Sequence, residues 1–318
     1  MSTGATAELR FRAMGSDVHV VVVGGPSGLA GAARARIDEL ERRWSRFLPD
    51  SEINELTRNA GRPMVVSDET LELVTLAIEA WHMTGSTFDP TVLGAVIRAG
   101  YSTSFDLLPS DGVDGMSDLV IGCTDIQIDG NVVTLPRRTG FDPGGIGKGL
   151  AADLVAAEMT AAGAEGVCIN MGGDLRVAGS APEGEGWTIA IEHAWASRPI
   201  ANVGIRDGAI ATSTTLRRRW TVKGVERHHL IDPRSGQPAT TDLNLVSVIA
   251  GSAWQAEVLA KAVLIRGSEH PFDLLEGVGA HTLLVDDDGR VVVSDGFREF
   301  LGFGWLPEQI ERDAQSAG

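Results

Sequence analysis

The run Phe141-Asp142-Pro143-Gly144-Gly145-Ile146-Gly147-Lys148-Gly149-Leu150-Ala151-Ala152-Asp153 combines residue types suited to holding an anion. Glycines let a backbone approach a ligand closely, and the first N–H groups of a helix are unpaired donors. An Ala-rich amphipathic stretch, 150–160, follows at once. Lys148 falls in the first turn of that helix, where a cation opposes the dipole, which argues for an anionic neighbour. A phosphate-bearing ligand is one reading; a tight strand-to-helix turn with a solvated lysine is the other. Neither common phosphate loop fits. A Walker loop needs glycine where Asp142 stands and Ser or Thr where Gly149 stands, and the spacing of Gly145, Gly147 and Gly149 misses G-x-G-x-x-G.

Three more segments carry polar chemistry: Asn170-Met171-Gly172-Gly173-Asp174-Leu175, Ala211-Thr212-Ser213-Thr214 and His229-Leu230-Ile231-Asp232-Pro233-Arg234-Ser235-Gly236. A neutral imidazole such as His229 can take a hydroxyl proton near pH 7; a strand histidine bonded to a neighbouring backbone is the plain alternative. If His228 and His229 share a strand, they point to opposite faces. Asp232 orients the loop or caps the turn before Pro233.

In order and spacing these segments resemble the FAD:protein FMN transferase family, the ApbE-like flavin transferases. Ala13-Met14-Gly15-Ser16, Phe47-Leu48-Pro49-Asp50-Ser51-Glu52-Ile53 and Thr87-Phe88-Asp89-Pro90-Thr91 extend the resemblance, which spans residues 11–300. It implies an activity: transfer of FMN from FAD to a Thr or Ser hydroxyl of an acceptor protein, with release of AMP. It also implies site residues. His229 is the base, with Asp232 beside it. Lys148 sits by the phosphates or adenine end, and Asp174, after Gly172 and Gly173, by the ribityl or phosphate region. Thr212 and Ser213 line the flavin pocket, Phe88 and Asp89 meet the adenosine, and Met14 and Trp44 are candidates to pack on the isoalloxazine. Met14 and Trp44 serve equally well as core, and Thr212 and Ser213 as a strand end. The carbonyl of Gly145 corresponds to a metal ligand, with Mg²⁺ as the ion.

Two departures stand out. The family places Asp, then Thr four residues later, on one helix face as a metal pair; here those positions are Glu257 and Lys261. An ammonium has no lone pair for a metal. Three readings follow: an ordinary helix ion pair, a lysine in the cation's place, or FAD binding without catalysis. FAD hydrolysis to FMN and AMP is a further alternative activity. The second departure is Thr57, where the family usually has Asn; Asn59, two residues on, is turned away by helical geometry.

The elements that must position these residues read as follows. Residues 9–23 form a strand pair or one long strand; 29–44 a helix; Ser51 and Ser67 cap two more. Residues 100–115 are a polar loop, and 126–135 a hairpin. A helix over 148–162 leads to a strand over 166–170. Strands follow at 187–192, 201–205, 209–212, 218–222, 228–231 and 244–250, then helices at 253–265 and 271–277 and a hairpin over 281–294. The acidic turn 286–289 lacks the calcium-loop pattern. Strands mixed with helices without strict alternation indicate α+β. The expectation is a mixed-sheet, ApbE-like (T-fold-like), two-lobed domain over 8–305, with FAD between the lobes and disordered tails at 1–7 and 308–318.

Composition sets the remaining bounds. The apolar fraction of 43% supports a real core, and a net charge of −16 argues against a nucleic-acid partner. No apolar run reaches membrane-spanning length, and neither a signal peptide nor a lipoprotein cysteine is visible, so a cytoplasmic protein is expected. Cys123 and Cys168, each in an apolar run, read as buried free thiols.

Overall fold

The computed structural model describes residues 5–108, 115–184, 186–302 and 306–310. The chain divides into two compact units. The first comprises Met1–Ile37, Lys148–Leu216 and Thr241–Gly318; the second, Asp38–Gly147 and Arg217–Thr240.

The first unit is built on an eight-stranded sheet. Its strands are β1 (Thr6–Ala13), β2 (Ser16–Val23), β3 (Gly166–Met171), β4 (Asp174–Gly179), β5 (Gly208–Thr214), β6 (Leu243–Ala250), β7 (His281–Asp286) and β8 (Val291–Val293). They lie side by side in chain order, and every neighbouring pair is antiparallel. The α+β class stands, but the sheet is antiparallel rather than mixed. Parallel neighbours need a crossover connection, whereas β1–β2 and β3–β4 close through two-residue turns.

Both faces of the sheet are covered. Val21, Val23, Leu175, Val177, Leu283 and Val285 pack with a ribbon formed by Trp187–Ile191 and Ala201–Ile205. Residues of the other parity, among them Val20, Val22, Val167, Ile169, Val246 and Val248, are equally buried. Helix α6 (Ala253–Arg266) packs on β5 and β6. It is apolar almost all round, as a helix enclosed by a core must be. Central strand β6 is buried at every residue, so it shows no alternation in sequence. The expected thiols are buried and free, and burial pushes both up to about 12.

The second unit holds α2 (Glu52–Arg58), α3 (Asp68–Met83) and α4 (Leu93–Arg98), while α1 (Leu29–Trp44) and α5 (Gly147–Ala161) span the division in sequence. Ser51 Oγ accepts the Asn54 N–H at 3.2 Å and Ser67 Oγ the Thr70 N–H at 3.4 Å, as the capping pattern requires. The Glu52 carboxylate then accepts the Ser67 N–H and hydroxyl, both at 2.6 Å, tying α2 to the start of α3. Trp44 is buried to 2% exposure and its indole N–H donates to Thr70 Oγ1 at 3.1 Å, so it is core and not a flavin platform.

Several expectations change. Helix α4, absent from the sequence reading, forms, whereas 271–277 makes only a 3₁₀ turn at Asp273–Leu275. Thr6 and Ala7 pair with Val23 and Val22, and Gln309 bridges to Arg290, so these residues are not tails. Residues 1–4, 311–318 and the 109–114 portion of the polar loop lie outside the described residues. Among the described residues no helix is long and apolar enough to cross a membrane.

Candidate active site

One end of the first unit's sheet gathers four of the expected segments. Ala13 pairs with Ser16, leaving Met14 and Gly15 as a turn with φ of 48° and 65°. Met171 pairs with Asp174, leaving Gly172 and Gly173 as the next turn. Gly172 has φ +69°, and a Cβ there would lie 2.7 Å from the Ser16 Cβ, so only glycine suits the position. The two turns are tied by the Gly172 N–H to Asp17 O at 2.9 Å. Ile210 pairs with Leu175, so Ala211–Thr214 run past the start of β4 at the same end. There Thr212 Oγ1 and Ser247 Oγ share a hydrogen bond at 2.7 Å. Half-buried hydroxyls, turn N–H groups and a methionine thus share one edge, a surface able to bond phosphate or ring oxygens.

Lys148 adds charge to this end. Its ammonium donates to Asp174 Oδ2 and, at 2.6 Å, to Glu257 Oε1. The other Glu257 oxygen accepts the Gly149 N–H at 2.8 Å. The start of α5 lies against the start of α6: a Cβ on Gly149 would stand 2.4 Å from the Ala253 carbonyl oxygen. Asp153 finishes the junction by accepting the Ala253 and Trp254 N–H groups at 2.9 and 3.0 Å, which satisfies orphan donors of α6. Burial alone would lower the Lys148 pKa, but the two carboxylates outweigh it and the ammonium is held above its ordinary value. Burial and then the charge of Glu257 push the Asp174 carboxyl up to about 6, against the opposing charges of Lys148 and Lys261. Both oxygens of Glu257 thus bond to α5.

His229 belongs to the second unit. The ribbon of Arg219–Val222 and Val225–His228 ends one residue before it, and His229 stands half-buried in a bend. The strand-parity argument that separates it from His228 therefore does not apply, because a bend follows no period of two. Hydrogen bonding separates them instead. His228 Nδ1 accepts the Leu230 N–H at 3.3 Å and its Nε2–H donates to Ala239 O at 3.0 Å. Burial lowers its pKa, so it stays neutral and acts as a brace. Beyond it, Ile231–Asp232 pairs with Gln237–Pro238, and Asp232 Oδ1 accepts the Arg234 N–H at 3.0 Å. Asp232 caps that turn.

The remaining expected residues of the second unit are structural in the described contacts. Phe88 is 3% exposed. Asp89 Oδ1 accepts the Thr91 N–H and hydroxyl at 2.7 and 2.5 Å, and burial raises its pKa against those bonds. Gly145 is buried in the turn closed by Gly147 N–H to Pro143 O at 2.8 Å. Thr57 Oγ1 accepts the Phe141 N–H at 3.2 Å, while the Asn59 amide donates to Glu55 O within its own helix.

The sequence matches the ApbE family over residues 14–283. The chain belongs to the ApbE family. It is 28% identical over 278 residues to the FAD:protein FMN transferase of Vibrio cholerae, covering 85% of this chain and 81% of that one. The protein of the same name from Treponema pallidum is 29% identical over 269 residues, covering 78% and 74%. Among solved structures, the ApbE protein of Thermotoga maritima superposes with a TM-score of 0.83 at 25% identity, covering 93% of this chain and 99% of that one. The flavin transferase ApbE from Vibrio cholerae gives 0.79 at 25%, with the same coverage.

The resemblance drawn from sequence implies a metal, and the side chains at the two α6 positions, Glu257 and Lys261, do not fit one. Both oxygens of Glu257 are engaged by Lys148 and Gly149. Lys261 offers donors only. Sequence reasoning also missed three supports: Asp153, Arg176 at 3.4 Å from it, and Arg46, stacked over the Phe47 and Tyr101 rings and 3.8 Å from Asp142. Asp153 had a weak signal, a carboxylate within the apolar run 150–157; the two arginines had none.

Proposed function

We propose that this chain is an FAD:protein FMN transferase. The acceptor's Thr or Ser hydroxyl oxygen attacks the FMN-side phosphorus of FAD. The bond from that phosphorus to the bridging oxygen breaks, AMP leaves with that oxygen, and the hydroxyl proton passes to His229. The product is a phosphodiester. Removal of the proton during attack and fixed positioning of the two reactants supply the catalysis. Met14, Gly172, Gly173, Thr212 and Ser213 hold the flavin nucleotide through turn N–H groups, hydroxyls and the thioether. Asp174 and Lys148 fix the shape of that sheet end. No step is assigned to magnesium.

The observation that carries this reading is the family match across residues 14–283, which includes every segment named above. Lys261 at the family's metal position favours a second reading, FAD binding without turnover. Incubating purified protein with FAD, with and without magnesium, and quantifying AMP separates the two. Mass analysis of added candidate acceptor proteins then distinguishes transfer from hydrolysis. Transfer yields AMP together with an FMN-sized mass gain on the acceptor. AMP without that gain marks a pyrophosphatase. Retained FAD with no AMP marks a binding protein.

A further inference from the structure

The cluster of Asp174, Glu257 and Lys148 carries two negative charges and one positive, and it is buried: the two carboxylate side chains are 7% and 4% exposed. An uncompensated charge in such a place is costly unless another charge balances it. The balance comes from a bound cation or from the chain itself. Helix α6 contains two ionisable residues between Ala253 and Ile265, Glu257 and Lys261, and its other faces are packed in the core. Four residues apart, the two share one face. This is not a solvated helix surface, so an exposed ion pair is a poor description of them. Glu257 reaches from that face to Lys148 and Gly149, and Lys261 stands one helical turn further along it.

We propose that Lys261 is a built-in substitute for a bound divalent cation: its ammonium balances the Asp174–Glu257–Lys148 cluster, so the wild-type centre recruits no divalent ion. Removing that ammonium opens a centre with net negative charge, and placing an oxygen there supplies a ligand. The expectation that a cation belongs at this position rests on the transferase reading; the charge count does not.

The test uses no FAD, so its outcome is independent of whether the protein transfers FMN. MgCl₂ and MnCl₂ are titrated calorimetrically into the full chain, and the melting midpoint is followed against ion concentration. Wild type is expected to give no saturable heat and no midpoint shift, and Lys261→Arg, which keeps the charge, is expected to match it. Lys261→Thr is expected to gain saturable binding and a midpoint that climbs with ion concentration. Adding Glu257→Gln to Lys261→Thr should abolish the gain. A folded Lys261→Thr protein that stays blind to both ions overturns the proposal. So does saturable binding by wild type that Glu257→Gln removes, a result that needs no Lys261 variant to fold.

Discussion

The two groups of candidate residues are held in place by opposite means. In the first unit, Lys148, Asp174 and Glu257 are fixed by charge, at the junction where two helix starts meet the sheet end. In the second, His229 sits in a bend braced by neutral hydrogen bonds: His228 to Leu230 and Ala239, and Asp232 to the turn that follows. The first arrangement is rigid but intolerant, because removing one partner strands a buried charge. The second spreads its support over backbone groups, so a single side chain can be lost without exposing an uncompensated ion. The charged sheet end is therefore expected to respond to mutation through stability, and the bend through rate.

The largest expected effect tests the bend. His229→Ala should cut AMP release from FAD by ~10²–10⁴-fold, the usual cost of losing a general base. FAD affinity, measured by calorimetry, should stay within a few-fold, since a group used in the transition state need not contribute to ground-state binding. A parallel loss of affinity would make the bend a binding element and erase the contrast between the two regions.

The next tests the charged junction. Lys148→Met should destabilise the protein by about 3–5 kcal/mol in denaturant melts, because Asp174 and Glu257 lose the cation bonded directly to both. Adding Asp174→Asn and Glu257→Gln should recover most of that loss, since the penalty belongs to the stranded charges and not to the lysine stem. If the triple variant is no more stable than Lys148→Met, the cluster is held by packing, and the distinction between the regions weakens.

Much of this was legible from sequence where one rule governed an element alone. Ser51 and Ser67 are followed by acidic first turns, and both cap helices as expected. The run 29–44 has an uninterrupted helical period and forms α1 to its last residue. Reading failed where tertiary context decided. A continuous strand over 228–231 looked sound, yet His228 gives its ring to Ala239 and Leu230 and the chain bends at His229. The contacts from Glu257 to α5 were not foreseen, because which helix start lies against Gly149 is not written in local spacing. Phe88 and Trp44 carry no pattern that separates core from ligand platform, and both are buried.

A smaller effect probes the turn geometry of the sheet end. Gly172→Ala should cost roughly 1–3 kcal/mol, as φ is +69° there and the new Cβ would crowd Ser16. Gly15→Ala, also at positive φ but with open space around its Cβ position, should cost less. Equal losses at the two sites would show that backbone strain alone, and not the packing of the two turns, sets the cost.

The smallest effect compares the units through one histidine in each. His193 in the first unit donates from Nε2 to Asn244 Oδ1 at 2.8 Å, and its Nδ1 accepts the Trp195 N–H at 3.2 Å. His228 in the second repeats that pattern. Burial lowers both pKa values, so each folded-state value lies below the ordinary one of about 6.5. Between the folded and unfolded values the unfolded chain holds a proton that the native state refuses. Stability therefore rises with pH through that window: it is fully present above about 6.5 and is lost as pH falls below it. His228→Gln keeps an N–H able to reach Ala239 O but removes the titration. Its melting midpoint should fall less steeply than wild type from pH 6.5 downward, and the slope that remains should shrink again when His193→Gln is added. An unchanged slope in His228→Gln would mean that its ring accepts a proton without losing its acceptor bond to Leu230, and that the bend is less firmly braced than its hydrogen bonds indicate.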